Sequence, residues 1–210
     1  MAGYFLVLEG PEGAGKSTLA QGLAERLRRS GVDPVLVREP GGTPAAEALR
    51  SALLHDDRRW TPEAELLYIA AARADLVAKV IGPALEAGRV VISDRFDLST
   101  LAYQVGGRGL PAVHVDWINR AATGGLIPDL TLVLDVPAAL GRERQLGAGK
   151  SRDRLDLEDP AFHDRVVAVY QKACGPGVVH LDATVPADAL NEAAWQVVCR
   201  ARPDLLGVTR

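Results

Sequence analysis

The stretch Tyr4-Phe5-Leu6-Val7-Leu8-Glu9-Gly10-Pro11-Glu12-Gly13-Ala14-Gly15-Lys16-Ser17-Thr18 decides the fold. Tyr4 to Leu8 is a short continuous apolar run and reads as a buried strand. From Lys16 to Arg29 the pattern becomes helical. Between them, Gly10 to Ser17 spells Gly, four residues, Gly-Lys-Ser, which is the phosphate-cradling pattern in its required strand–loop–helix setting. The backbone N–H groups of such a loop and the helix N-terminus offer positive partial charge to phosphate oxygens. Lys16 is placed to reach the β/γ-phosphates, and the Ser17 hydroxyl to ligate Mg²⁺. The pattern implies a nucleoside triphosphate site and leaves the phosphoryl acceptor open.

Working outward, Val35-Leu36-Val37, Val90-Val91-Ile92, Leu130 to Leu134 and Val178 to Leu181 are further strand candidates separated by helical segments. Near-continuous apolar strands alternating with helices predict an α/β fold, a parallel sheet of about five strands with helices on both faces. The 210 residues suit one domain, 1–210, with hydrophobic and charged fractions of 48% and 24% that exclude disorder. No apolar run approaches the ~20 residues that span a bilayer. The N-terminus lacks a secretory pattern, and Cys174 and Cys199 are expected to be buried thiols in a reducing compartment. A net charge of −3 argues against general nucleic-acid binding. That total conceals a basic island between Arg142 and Arg154. Within it, the Gly-containing stretch Gln145 to Ser151 is expected to be a mobile lid.

Ligands of open α/β sheets bind beyond the carboxyl ends of the strands. Asp94-Arg95 stands at such an end, where an aspartate can help hold Mg²⁺ and an arginine can clamp phosphate. Arg38-Glu39-Pro40-Gly41-Gly42-Thr43 ends the second strand on the same side. Thr61-Pro62-Glu63 starts a helix, on which Leu66, Ile69, Arg73, Leu76 and Val80 share one face. Arg73 therefore interrupts an apolar stripe and must find an anion or snorkel outward. A cleft phosphate and an internal carboxylate both satisfy that requirement, and Arg50 is a weaker candidate of the same kind. Ser99-Thr100-Leu101-Ala102-Tyr103-Gln104 offers hydroxyl, amide and aromatic groups just after Asp94-Arg95.

These motifs, in this order, resemble the bacterial thymidylate kinases. The resemblance covers nearly the whole chain, including Ala71-Ala72-Arg73, Pro128-Asp129-Leu130, Leu134-Asp135-Val136, Asp153-Arg154 and Asp182-Ala183-Thr184. It implies a P-loop nucleotide kinase of cytoplasm, homodimeric and Mg²⁺-dependent, that transfers the ATP γ-phosphoryl group to dTMP and gives dTDP. By the same resemblance, Gly10 to Thr18 and Arg144 bind ATP, with Arg144 packing on adenine, and Ser17 and Asp94 serve Mg²⁺. Glu9 falls near the phosphates and the acceptor sugar. Arg50, Arg73 and Arg95 fall on the acceptor phosphate or base, with Glu39, Pro40 and Ser99 beside them. Thr100 and Gln104 fall on thymine, and Tyr103 where a ribose 2′-hydroxyl is excluded. Family members whose phosphate loop lacks an arginine place the catalytic arginine in the lid, and Pro11 to Ala14 are not basic, so the resemblance implies a lid at about 145–154 with Arg154 ahead of Arg152 and Lys150. Two positions depart from the family: Ile69 replaces a thymine-stacking Phe, and Phe96 replaces a Tyr or His. A deoxynucleoside kinase and a non-catalytic nucleotide-binding module are the competing readings.

Overall fold

The computed structural model describes residues 3–55, 60–147 and 153–203. Five strands, β1 (Tyr4–Glu9), β2 (Val35–Arg38), β3 (Val90–Asp94), β4 (Leu130–Asp135) and β5 (Val178–Asp182), form one all-parallel sheet in the order β2-β3-β1-β4-β5. The expected five-stranded sheet is therefore present, and each expected strand runs one residue further at its carboxyl end, β3 two. β1 lies at the centre, where the strand order reverses and both neighbours leave a crevice.

The unbroken apolar run of β1 is explained by its two covered faces. Tyr4, Leu6 and Leu8 pack with α1 (Lys16–Arg29) through Leu19, Leu23 and Leu27. Phe5 and Val7 face the other way, onto Leu76, Ile81 and Phe96. Period-two alternation thus divides one hydrophobic string between two cores. β4 does the same, sending Leu132 and Leu134 to the first core and Val133 to a cluster with Tyr103, Phe162 and Tyr170.

Helix α2 (Pro44–His55) is capped by Thr43, whose Oγ1 accepts from the Ala46 N–H at 3.1 Å. Helix α3 (Pro62–Leu76) begins as expected, with Thr61 accepting from the Ala64 N–H at 3.3 Å. Leu66, Ile69, Arg73 and Leu76 are buried on one face of α3, and Val80, half-buried in the turn that follows, packs on the cluster that holds Leu76. The ladder widens to a π-turn over Val77–Ile81 before α4 (Gly82–Glu86), because Pro83 has no N–H to give the preceding turn. Helix α5 (Asp97–Thr100) runs into a second π-turn, Leu101–Gly107, followed by α6 (Ala112–Thr123). Helices α7 (Ala138–Gly147), α8 (Pro160–Gln171) and α9 (Ala187–Ala201) complete the chain. The cysteines correct an expectation. Cys174 lies exposed in the turn after α8, and Cys199 is only half-buried on α9.

Candidate active site

A cleft of about 1280 Å³ opens at the carboxyl ends of the strands. Its floor is the loop between β1 and α1. Gly10, Gly13 and Gly15 have φ of 140°, 72° and 92°, the left-handed side of the map that favours glycine. A side chain on Gly13 would also collide with the backbone of Gly141 on α7. The loop curls tightly enough for the Lys16 ammonium to fold back and donate to the carbonyls of Gly10 (2.9 Å) and Pro11 (2.8 Å). Burial, reinforced by the Arg95 charge, pulls Lys16 down to about 8 despite the nearby carboxylates. Among the described residues the hydrogen bonds of this ammonium go to carbonyls and not to a carboxylate.

The Ser17 hydroxyl donates to Asp94 Oδ2 at 2.5 Å, which joins the head of α1 to the end of β3. Two hard oxygen donors in contact suit a small divalent cation that takes its other ligands from phosphates and water. Thr18 lines the same end of the cleft. On its far wall Arg144 donates to the carbonyls of Ala183 (2.7 Å) and Thr184 (3.3 Å).

Arg95 joins the two ends of the site. Its φ of 78° is rare for a side-chain-bearing residue. The conformation is held because its N–H donates to Leu8 and its carbonyl accepts from the Ser93 hydroxyl (2.7 Å). It turns the guanidinium under the loop, onto the Gly10 carbonyl, Ser99, Tyr170 and the carboxylate of Glu12. Burial pushes Glu12 up, yet the Arg95 and Lys16 charges and the Tyr103 hydroxyl outweigh it and hold Glu12 at about 2. Glu9 behaves oppositely. It is fully buried, accepts from the N–H groups of Phe96 (2.8 Å) and Ser99 (3.0 Å) and from the Ser99 hydroxyl (2.6 Å), and is raised to about 7 because desolvation exceeds those bonds.

The other side of the cleft is assembled from distant pieces. Arg73, 1% exposed, finds its anion inside the protein. Nε donates to Glu39 at 2.7 Å, Nη1 to Thr100 (2.9 Å) and Asn119 (2.6 Å), and Nη2 to the Phe96 carbonyl (2.8 Å). Every guanidinium nitrogen is engaged, and the plane lies over the Phe96 ring. Phe96 is therefore a buried platform, set edge-on against Phe5, at a position where a polar residue was the family habit. Burial raises Glu39 above the ordinary carboxylate range, more than the Arg73 charge lowers it. Arg50 donates to the Pro40 carbonyl at 2.8 Å. Ile69 lies at the cleft edge on Leu53 and Leu54, whereas Tyr68 is turned away onto Trp60. Tyr103 places its ring beneath Arg95 and its hydroxyl on Glu12.

Of the expected residues, Glu12 to Thr18, the acceptor-side group, Asp94 and Arg144 all border this one cleft, while Glu9, Gly10 and Pro11 support it from beneath. Arg154 is not brought to the phosphate loop. Its guanidinium is bound to the Glu65 carboxylate and to the Leu53 carbonyl, and it does not line the cleft. Arg152, Lys150 and the central part of the expected lid lie outside the described residues. Four participants have no counterpart in the motifs: Glu65, Asn119, Tyr170 and Gly141. A signal existed for Glu65, which stands four and eight residues before Ile69 and Arg73 on their helical face. Asn119 and Tyr170 reach the site by tertiary packing alone.

A family model described as thymidylate kinase matches residues 8–194. A thymidylate kinase of Pseudomonas fluorescens is 48% identical over 197 residues, covering 92% of this chain and 93% of that one. Another from Thermomicrobium roseum is 46% identical over 198 residues (93% and 94% covered), and one from Cereibacter sphaeroides is 48% identical over 206 residues (95% and 94%).

Proposed function

This chain belongs to the thymidylate kinase family, and from that premise we propose that it transfers the γ-phosphoryl group of ATP to the phosphate of dTMP, giving dTDP and ADP, in dTTP synthesis. The observation that carries the acceptor side is Arg95, a half-buried cation held in a left-handed turn between the phosphate loop and the base-facing wall. A nucleoside without a phosphate would have no use for a cation there.

In this proposal, Gly10 to Thr18 wrap the ATP phosphates and Lys16 leaves its two carbonyls for a phosphate oxygen, exchanging weak partners for an anion. Arg144 covers the adenine. Ser17 and Asp94 would hold Mg²⁺, which would supply positive charge against the negative charge of the phosphates. Arg95 orients the acceptor phosphate, and Glu12 keeps that guanidinium from wandering while the site is empty. Glu9 fixes Ser99 and the Phe96 N–H, and so the start of α5. Ile69, Thr100, Tyr103 and Gln104 surround the base and sugar, with Arg50, Glu39 and Pro40 closing the outer edge and Arg73 bracing Thr100. Arg154 and Arg152 are assigned to the transition state. For Arg154 this requires release from Glu65. Arg154→Ala is expected to lower kcat by about 10²-fold or more while ATP affinity changes little, as for loss of one transition-state donor. Unchanged kcat would remove that role.

Residues 1–210 are read as one unit, supported by a single sheet that draws strands from Tyr4 through Asp182. A homodimer is supported by Leu67 on α3 and Val113 and Trp117 on α6, large apolar side chains exposed at 56%, 71% and 71% on neighbouring helices. A cytoplasmic setting is supported by the free thiols of Cys174 and Cys199. An acceptor panel of dTMP, dUMP, UMP and thymidine with ATP and Mg²⁺ tests the reaction. dTMP is expected to be fastest. Faster phosphorylation of thymidine would favour a deoxynucleoside kinase, and no ADP with any acceptor would favour a binding module.

A further inference from the structure

Glu65 is a carboxylate, 1% exposed, where α3, the π-turn after α5 and the segment before α8 meet. The Arg108 guanidinium approaches it with Nε at 3.1 Å and Nη2 at 3.0 Å, Arg154 closes on its Oε2, and Gln104 Nε2 donates to its Oε1 at 2.5 Å. Arg108 is itself pinned by Glu158 at 2.6 Å and by the Phe162 ring. Glu65 therefore has no freedom to turn.

Its effect on Gln104 follows from hydrogen-bond chemistry. A side-chain amide has one end that only donates and one that only accepts. A carboxylate held by Arg108 through both oxygens offers only acceptors, whether or not Arg154 is also on it, so the Gln104 NH₂ must face it. The flip of the amide is thereby fixed by its surroundings rather than by choice. Gln104 borders the cleft, is fully buried, and its carbonyl oxygen has no hydrogen-bond partner among the described residues. A buried acceptor without a donor is costly unless a ligand supplies one.

We infer that Glu65 is a positioning residue for acceptor choice: it holds the Gln104 carbonyl oxygen toward the bound base, and so selects a base whose facing ring nitrogen carries a hydrogen. Thymine and uracil carry N–H at that edge. Cytosine presents a bare nitrogen, which would meet the Gln104 oxygen lone pair to lone pair. This role rests on the placement of the acceptor base beside Gln104 proposed above.

The test compares kcat/KM for dTMP and dCMP. In E65Q the new amide oxygen takes the Oε2 place and keeps Arg108 Nη2 and Arg154, while its NH₂ takes the Oε1 place facing Gln104, where Arg108 Nε gives up its acceptor. The Gln104 amide then turns over and presents a donor to the cleft. The dTMP-to-dCMP ratio is expected to fall by about tenfold or more, mainly through KM. The exchange E65Q/Q104E places a carboxylate at 104, which accepts from the amide at 65 and still offers an oxygen to the base, so the preference returns. A merely structural Glu65 would lower activity on both acceptors together, with no change in ratio in E65Q and no recovery in the exchange. Either result overturns the inference. If E65Q does not fold, the exchange decides alone: a retained preference for dTMP supports the role, and a lost one refutes it. A wild-type enzyme that makes dTDP without preferring dTMP to dCMP would overturn this role while leaving the reaction standing. Failure to use dTMP at all would overturn both.

Discussion

The two ends of the cleft are built on different principles. The donor end comes from one contiguous stretch, Gly10 to Thr18, plus Asp94, and its positive field is supplied by backbone and a single ammonium resting on two carbonyls. The end proposed for the acceptor draws Glu39, Glu65, Arg73, Gln104 and Asn119 from separate parts of the chain and pairs them among themselves, while Arg95 ties this end to Glu12 of the loop. Every nucleoside triphosphate presents the same phosphates, so a local loop suffices. Recognising one monophosphate needs polar groups at fixed positions in a dry wall, and those positions hold only if the groups hold one another.

Substitutions at the two ends should therefore fail in different ways. The largest effect on turnover is expected from Lys16→Met, with kcat reduced roughly 10³-fold, the upper range for removal of one charge-stabilising donor. Because burial disfavours this ammonium, thermal stability should be unchanged or slightly higher. A large loss in Tm would blur the distinction. Arg73→Met should show the opposite signature. It abandons Glu39, Thr100 and Asn119 in the interior, and breaking a buried pair by removing one partner costs about 3–5 kcal/mol. Urea denaturation of the two variants side by side separates the cases.

Glu9 sits between the two ends and sharpens the contrast through pH. Its folded pKa of about 7 lies above the ordinary 4.5, so folding favours the protonated form. The stability it contributes is fully present below about 4.5 and is lost as pH rises through about 7. Urea titrations at pH 5 and pH 8 should show wild-type stability falling relative to Glu9→Gln over that interval. A constant difference would mean that Glu9 titrates normally. The smallest effect is expected from Ile69→Phe. Restoring a ring over the base should lower KM for dTMP a few-fold, toward the lower end of the ~1–3 kcal/mol measured for stacking on single bases. No change would place the base away from α3.

The same division explains what could be read from the sequence. The strands were legible because a strand covered on both faces is a continuous apolar word, and β1 divides its five letters between two cores. The phosphate loop was legible because its glycines, lysine and serine do their work within eight residues. Arg73 was legible as an anomaly, a charge on an apolar stripe, but its partner Glu39 lies thirty-four residues away and could not be chosen over a ligand by spacing alone. Asn119 and Tyr170 gave no signal, since an amide and a phenol on helices are ordinary until the fold brings them to Arg73 and Arg95. The π-turns at Val77–Ile81 and Leu101–Gly107 were hidden for a related reason. A widened ladder is set by what the helix packs on, and only Pro83 announced one of them. Arg154 shows the limit most clearly: a basic island predicts charge near phosphate, while the structure seats this arginine on Glu65, an acceptor-side carboxylate.

The most direct measurement is a product balance. The protein is incubated with ATP, Mg²⁺ and dTMP, and the nucleotides are separated by chromatography over time. dTDP and ADP should appear together in equal amounts, with no inorganic phosphate released in excess. ADP accompanied by inorganic phosphate and no dTDP would contradict the central claim that this cleft joins a triphosphate to a monophosphate acceptor.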